Sequence, residues 1–77
     1  MELTPIRTFL VLAREGHMTR AAAQLHLTQP AVSAQIARLE DDLGQRLFHR
    51  TSKGVVLTDA GRLFAPFAEE EIGRAHV

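Results

Sequence analysis

Apolar residues in the first part of the chain recur at the spacing of a helix, with polar residues between them. At about 100° per residue, one face collects Ile6, Phe9, Leu10 and Ala13. Thr4 before Pro5 predicts an N-cap followed by proline at the first helical position. Gly16 is a typical stop, because glycine adopts a positive φ without strain. We therefore predict a first helix over about residues 5–15.

Two further helices are predicted after Gly16, and they are joined by a very short link. TRAAAQLH, at 19–26, predicts a short second helix. Thr28 can cap a third helix, and Pro30 in its first turn loses no helical hydrogen bond. The apolar stripe of this third helix comprises Val32, Ile36, Leu39 and Leu43. Because only a residue or two around Leu27 separates the helices, they must cross steeply, as in a helix-turn-helix.

The periodicity changes after Gly44, which ends the third helix. RLFHR, at 46–50, predicts a short strand, TSKG a turn, and VVL, at 55–57, the returning strand. Thr58 can cap a fourth helix, in which Pro66 is expected to produce a kink or mark a second start. The predicted fold class is mainly α: three helices plus a β-hairpin, followed by the start of another helix.

The formal net charge is zero, but the charges are unevenly distributed. Residues 16–39 contain two arginines and no acid, and residues 43–58 contain three cations and no acid. The cations of these two segments are Arg20, Arg38, Arg46, Arg50 and Lys53. A neutral total argues against a non-specific nucleic-acid binder. On charge alone, an ordinary mixed surface is the better interpretation.

The outer face of the third helix suits a nucleic-acid groove. It consists of Pro30, Ala34 and Ala37, flanked by Gln29, Ser33 and Arg38. Small residues allow a helix to sink into the major groove, where Gln29 can pair with adenine and Ser33 with a base or phosphate. Arg50 and Lys53 on the hairpin can hold flanking phosphates. The alternative is an amphipathic helix whose outer alanines only favour helicity.

Composition and motifs argue against other classes of protein. The chain has no cysteine, which excludes disulfides and thiolate metal sites, and no apolar run of membrane-spanning length. The start lacks the pattern of a signal peptide. No HExxH, P-loop or GxSxG motif is present, and we interpret the four histidines as caps or surface residues: His17, His26, His49 and His76. We expect no enzyme activity, metal or cofactor.

Four motifs together resemble the N-terminal DNA-binding domain of LysR-type transcriptional regulators: AAAQLHLTQPAVS, LEDDLG, RLFHR and LTDAG. The resemblance is essentially ungapped over most of the chain. It implies a winged helix-turn-helix domain over residues 1–58, with the helix-turn-helix at about 18–38 and the wing at about 46–58. Residues 59–70 would then begin a linker helix that pairs with its mate in a dimer.

The resemblance also implies a function and a set of contacts. Such proteins are bacterial, sequence-specific transcription factors that bind promoter DNA in the cytoplasm, associated with the nucleoid, as homodimers or tetramers. A small-molecule effector acts through a further domain, which is absent from this sequence. Groove contacts carry over to the start of the third helix, wing contacts to the hairpin, and Arg20 is a phosphate contact. With the outer face described above, the predicted DNA-binding residues are Arg20, Thr28, Gln29, Pro30, Ala31, Ser33, Ala34, Arg38, Arg50 and Lys53.

The sequence departs from the family pattern at three positions. Ala34 and Ala37 stand where basic residues are common, so contact from Ala34 is limited to van der Waals touch and the electrostatic grip should be weaker. His17 stands where Ser or Asn often caps the second helix, and its poorer capping should cost about 1 kcal/mol.

The fourth helix supports an alternative function, a helical module that pairs only with protein. Its apolar contact stripe comprises Leu63, Phe64 and Phe67, which we predict to mediate dimerisation in the intact protein. In a short helix that contains a proline, this stripe should give a monomer or a weak dimer. Salt dependence separates the two functions, since only DNA binding should weaken steeply with added salt.

The last seven residues, EIGRAHV at 71–77, do not continue the pattern of the fourth helix. Gly73 interrupts it and the apolar stripe is expected to stop. One reading frame of a common sequencing adapter encodes the same seven residues, and we interpret them as a non-native tail that ends a truncated fragment. A natural short protein with an unusual terminus remains the alternative.

Overall fold

A computed structural model describes residues 2–75, which form four helices and one antiparallel two-stranded sheet. The elements are α1 Leu3–Glu15, α2 Met18–Leu25, α3 Gln29–Leu43, β1 Phe48–Thr51, β2 Gly54–Leu57 and α4 Asp59–Ala75. The predicted order of three helices, a hairpin and a fourth helix is confirmed. None of the helices in this range is long and apolar enough to cross a membrane.

Helix α1 starts earlier than its sequence predicts. Glu2 is the N-cap and makes no side-chain capping bond, so the predicted cap at Thr4 is wrong. Pro5 therefore occupies the third helical position, where its missing N–H still costs no intrahelical bond. The predicted end is confirmed: Gly16 has a φ of 73° and donates its N–H to the carbonyl of Leu12.

One apolar core joins all four helices and the hairpin. Its buried apolar side chains are Ile6, Phe9, Leu12, Ala21, Ala22, Val32, Ile36, Leu39, Leu47, Phe48 and Ala68. Phe9 lies at the centre, with ring centroids 5.3 Å from Phe48 and 5.1 Å from Phe64. Thr8 is also buried, and its hydroxyl donates to the side-chain oxygen of Gln35. α1 is thus packed against α3, the hairpin and α4.

The turn between α2 and α3 consists of residues 26–28, which is slightly longer than the predicted residue or two around Leu27. His26 follows the last helical residue and adopts the left-handed conformation with a φ of 57°, which non-glycine residues adopt uncommonly. Leu27 donates its N–H to the carbonyl of Ala22 at 2.9 Å. The hydroxyl of Thr28 then accepts the N–H of Ala31 at 3.2 Å, which confirms the predicted cap of α3.

The hairpin begins two residues later than predicted. β1 starts at Phe48, which pairs with Leu57, and Leu47 precedes the strand. The reason is that Leu47 bonds to other elements: its N–H donates to the carboxylate of Glu40, and its carbonyl accepts the N–H of Thr58 at 3.0 Å. Leu47 is fully buried at this junction.

The hairpin is also attached to the loop between α1 and α2. Val55 donates its N–H to the carbonyl of Gly16 at 2.9 Å. Gly54 has a φ of 137°, and a Cβ at this position would collide with the same carbonyl oxygen. Glycine is therefore required where the hairpin crosses this loop.

Helix α4 starts at its predicted cap and then runs further than predicted. The hydroxyl of Thr58 accepts the N–H of Gly61 at 3.0 Å. The helix continues without interruption through Pro66, which neither ends it nor begins a second helix. A single proline removes one helical hydrogen bond, and packing of the flanking turns on the core retains the helix.

The predicted loss of helical pattern after residue 70 is wrong. α4 includes Gly73, and Ile72 packs half-buried against the core one turn after the buried Ala68. An i, i+4 pair lies on the same helix face, so Ile72 extends the inward stripe. The last two residues of the predicted tail, His76 and Val77, lie outside the described residues.

Candidate nucleic-acid interface

The start of α3 presents small and polar side chains to solvent. Because Val32 and Ile36 face the core, the opposite side of the helix points outward. Its exposed residues are Gln29, Pro30, Ser33, Ala34, Ala37 and Arg38, and Ala31 is half-buried. These residues include the predicted groove face, which is therefore accessible to a ligand.

Gln29 is oriented by a residue that sequence reasoning missed. Its side-chain nitrogen donates to the hydroxyl of Thr19 on α2, with 3.1 Å between the atoms. The amide nitrogen carries two hydrogens, so its second N–H and its oxygen remain available for a base edge. No local pattern indicates this pair, because the two residues lie on different helices.

The hairpin and the start of α3 form one continuous surface. Arg50, Ser33, Gln29 and Pro30 line one shallow cleft together with Met18. Arg50, Ser33 and Met18 also line the neighbouring cleft along α3. The structure thus brings together the predicted base-reading residues and one predicted wing cation.

Three predicted cations do not line this cleft: Arg20, Arg38 and Lys53. Arg20 lines a separate concavity of α2, with Glu15 and His26. Lys53 lies in the turn of the hairpin and is exposed. Both Arg20 and Lys53 are exposed, so each can contact an anion outside the cleft.

The cations differ in whether an acid already pairs with them. Arg38 lies 3.1 Å from the carboxylate of Glu2, with both side chains about two-thirds exposed. Within residues 2–75, no carboxylate lies within 4.0 Å of the cationic groups of Arg20, Arg50 or Lys53. These three side chains can therefore bind an anion without first releasing a protein partner.

Thr28 caps α3, so only part of its hydrogen-bonding capacity is free for the predicted contact with DNA. Its hydroxyl oxygen accepts the N–H of Ala31, and this bond stabilises the first turn of α3. The hydroxyl hydrogen of Thr28 is still available to donate. The helix start also carries N–H groups without intrahelical partners, which favour an anion at this end.

The predicted dimerisation stripe on α4 is only partly directed outward. Leu63 is 82% exposed and Phe67 45% exposed. Phe64 instead packs on Phe9 and is half-buried. The stripe forms part of a mostly apolar groove, which is therefore open to a partner. The groove is lined by Leu43, Gln45, Leu47, Ala60, Leu63, Phe64 and Phe67.

The described residues contain no cluster of three or more His, Asp or Glu side chains that could hold a metal ion. His17 precedes α2, His26 follows α2, and His49 lies on β1, so the three histidines belong to different parts of the fold. The fourth histidine considered above, His76, lies outside the described range.

A family model described as bacterial regulatory helix-turn-helix protein, lysR family, matches residues 3–62. The chain belongs to this family. The match covers the helix-turn-helix, the hairpin and the first turn of α4. The resemblance inferred from the motifs is therefore confirmed, and the family is one of transcriptional regulators and not of enzymes.

Related proteins and structures agree with this assignment. The HTH-type transcriptional activator AmpR of Rhodobacter capsulatus is 52% identical over 69 residues, 90% of this chain and 24% of the relative. The protein chain in the crystal structure of the CbnR_DBD–DNA complex has 37% sequence identity to this chain. The two superpose with a TM-score of 0.93 over 99% of this chain and 87% of that one. The BenM_DBD/benA site 1 DNA complex is 36% identical with a TM-score of 0.91, covering 99% and 88%.

These similarities confirm the winged helix-turn-helix fold and do not favour a module that binds only protein. The chain spans between 20% and 45% of the length of the first curated relatives that it matches.

Proposed function

We propose that this chain binds double-stranded DNA and serves as the DNA-binding domain of a sequence-specific bacterial transcription regulator. The observation that carries the proposal is the single surface formed by the start of α3 and the hairpin. It combines a thin outer helix face with cations that lack a carboxylate partner in the described structure. Because bacterial chromosomal DNA lies in the cytoplasm, the protein would act there, associated with the nucleoid.

In this proposal the start of α3 enters the major groove and reads base edges. Gln29 pairs with adenine through its oxygen and its free N–H, and Ser33 donates to a base or a phosphate. The carbon atoms of Pro30, Ala31 and Ala34 contact thymine methyl groups. Thr28 and the free N–H groups of the first turn bind a phosphate at the groove edge.

The remaining cations bind the DNA backbone. Arg50 lies next to the reading residues and contacts the phosphates beside the groove, while Lys53 contacts the flank from the hairpin turn. Arg20 grips a phosphate from α2, and Arg38 does so after releasing Glu2. Phosphate contacts set position and affinity, and they carry no sequence information directly.

The domain organisation of the proposal follows the family pattern. Residues 1–58 form the DNA-binding domain, and residues 59–70 begin a linker helix that pairs with a second copy through Leu63, Phe64 and Phe67. In the intact protein, a homodimer or tetramer would bind the operator, and a small-molecule effector would act through a domain outside these residues.

Salt dependence tests this function. Neutralising about four phosphates predicts a slope of about −3 to −4 in a plot of log affinity against log salt concentration. The measurement is fluorescence anisotropy of a labelled duplex, first of mixed sequence and then selected from a randomised library. An affinity that does not change with salt, or no enrichment of any sequence, would contradict the proposal.

The same titration separates DNA binding from self-association. Pairing through leucine and phenylalanine should persist as salt rises, whereas DNA binding should not. Replacing Leu63 by Glu, outside the proposed DNA surface, should abolish self-association in sedimentation experiments and leave monomer binding to a short duplex unchanged.

A further inference from the structure

We propose that Glu40 is a positioning residue, which holds the wing at a defined place relative to α3 so that both elements meet DNA together. The inference rests on the proposed function and goes beyond it, because Glu40 is an acid that is not expected to contact DNA. Its effect on binding would be exerted through Arg50.

The side chain of Glu40 bridges α3 and the start of the hairpin. One carboxylate oxygen accepts the N–H of Leu47 at 2.7 Å and the N–H of Phe48 at 3.4 Å. The other oxygen lies 3.6 Å from the side chain of Arg46, and the Glu40 side chain is only 14% exposed. Within residues 2–75, no other side chain of α3 makes a hydrogen bond to the hairpin or to the segment before it.

This bridge is close to the wing cation that faces α3. Phe48 is the first residue of β1, and Arg50 follows two residues later, at a distance of about 7 Å along a strand. The carbonyl of Leu47 accepts the N–H of Thr58, just before the start of α4. Without Glu40, the hairpin would keep its attachments to α4 and to the α1–α2 loop but lose its direct side-chain link to α3.

The direction of the change in DNA affinity when Glu40 is replaced distinguishes a positioning role from a purely electrostatic one. Glu40 lies among Arg46, Arg50 and Asp41 along the same cleft, so removing its negative charge should strengthen binding of a polyanion. Loss of a positioning bond should weaken binding instead. The two explanations therefore predict opposite changes in affinity.

Two substitutions remove the same charge and differ in whether a hydrogen-bond acceptor remains. Glu40→Gln keeps an oxygen that can accept both N–H groups, whereas Glu40→Ala leaves them without this partner. With a labelled mixed-sequence duplex, Glu40→Gln should bind at least as tightly as the unmodified chain. Glu40→Ala should bind at least about five-fold more weakly, with a salt slope smaller in magnitude by about one because the wing contact is lost.

A double-substitution cycle locates the effect in the wing. Arg50→Ala should lower the magnitude of the salt slope by about one in the unmodified chain and should have little further effect in the Glu40→Ala background. Asp41→Asn is the matched control. Asp41 is exposed on the same turn, and its side chain makes no hydrogen bond or ion pair within the described residues, so this change should strengthen binding slightly.

A second variant keeps the test decisive if Glu40→Ala does not fold. Glu40→Asp retains the charge and shortens the reach by one methylene. Amide hydrogen exchange, followed by NMR, should show faster exchange at Leu47 and Phe48 with unchanged protection at Phe9. It should also show weaker duplex binding than the unmodified chain.

The outcomes distinguish this inference from the proposed function. Equal affinity and equal salt slope for Glu40→Ala and Glu40→Gln would overturn the positioning role and leave DNA binding intact. Unchanged exchange at Leu47 and Phe48 in Glu40→Asp would also overturn it. If the unmodified chain showed no salt-dependent duplex binding, the proposed function itself would fail, and with it the proposed purpose of Glu40.

Discussion

The side-chain amide of Gln29, at the first position of α3, donates to the hydroxyl of Thr19 on α2 across 3.1 Å. This bond restrains the rotation of an exposed amide whose two ends differ in hydrogen-bonding character. A base pair is discriminated only if the oxygen and the N–H of Gln29 point in defined directions. In the proposed complex, where Gln29 reads a base, Thr19 would therefore affect specificity without touching the DNA.

Replacing Gln29 by Ala should relax the sequence preference at one base position and cost about 1–3 kcal/mol there, because a bidentate pair is lost. The measurement compares affinities for the library-selected duplex and for its single-base variants. Unchanged discrimination at every position would contradict the assignment of Gln29.

Thr19→Val should reduce the preference at the same position by about 1 kcal/mol, since it removes one hydroxyl and retains the β-branched shape. In the Gln29→Ala background it should have no effect on the preference. An equal loss with and without Gln29 would mean that Thr19 acts through the fold of α2 instead.

Lys53→Ala should weaken binding to all sequences about equally and lower the magnitude of the salt slope by about one. The reason is that, in the proposed complex, this exposed cation of the hairpin turn contacts phosphate, which carries no sequence information directly. Arg74→Ala is the control, because Arg74 lies near the C-terminal end of α4 and pairs with Glu70 and Glu71. Its loss should leave the salt slope unchanged.

Glu2→Gln should strengthen DNA binding modestly, by no more than about 1 kcal/mol, because it releases Arg38 from an exposed ion pair of small energy. The gain should shrink at high salt and disappear in the Arg38→Ala background. Weaker binding of Glu2→Gln would show that this N-terminal carboxylate positions Arg38 instead of competing for it.

Phe9→Ala should lower the free energy of unfolding by about 3–5 kcal/mol, since Phe9 is fully buried between Phe48 and Phe64. Phe67→Ala should cost about 1 kcal/mol, because that ring is 45% exposed and contacts Phe64 alone among the aromatic side chains. Urea denaturation followed by circular dichroism measures both values. Similar losses would contradict the placement of the core.

The origin of residues 71–77 remains a separate proposal, that an adapter sequence encodes them. Reamplification from the source DNA should give a reading frame that diverges from the printed sequence after Glu70. A frame that encodes EIGRAHV followed by a stop codon would end the proposal.

The third helix shows what local sequence can specify. Its start at Thr28, its buried stripe and its stop at Gly44 were all predicted and confirmed. Each depends on interactions within one or two turns: a hydroxyl that caps nearby N–H groups, a helical repeat of apolar residues, and a glycine at positive φ. The same holds for the cap of α4 at Thr58.

Other features needed contacts between distant residues. Thr8 is buried because Gln35, 27 positions away, accepts its hydroxyl hydrogen. β1 starts at Phe48 and not at Arg46 because Glu40 and Thr58 bind Leu47 from two sides. The continuation of α4 past residue 70 depends on the core surface that receives Ile72. No local pattern contains these partners.

The sequence by itself determined the family, the order of the elements and the face of α3 that points outward, because these follow from motifs, caps and apolar periodicity. Only the tertiary structure decided which partners from other elements hold the side chains of α3. It placed Thr19 beside Gln29, Glu2 beside Arg38, and Glu40 between α3 and the wing. The physical reason is that each pairing joins side chains from different elements, and their separation is set by the packing of the whole core.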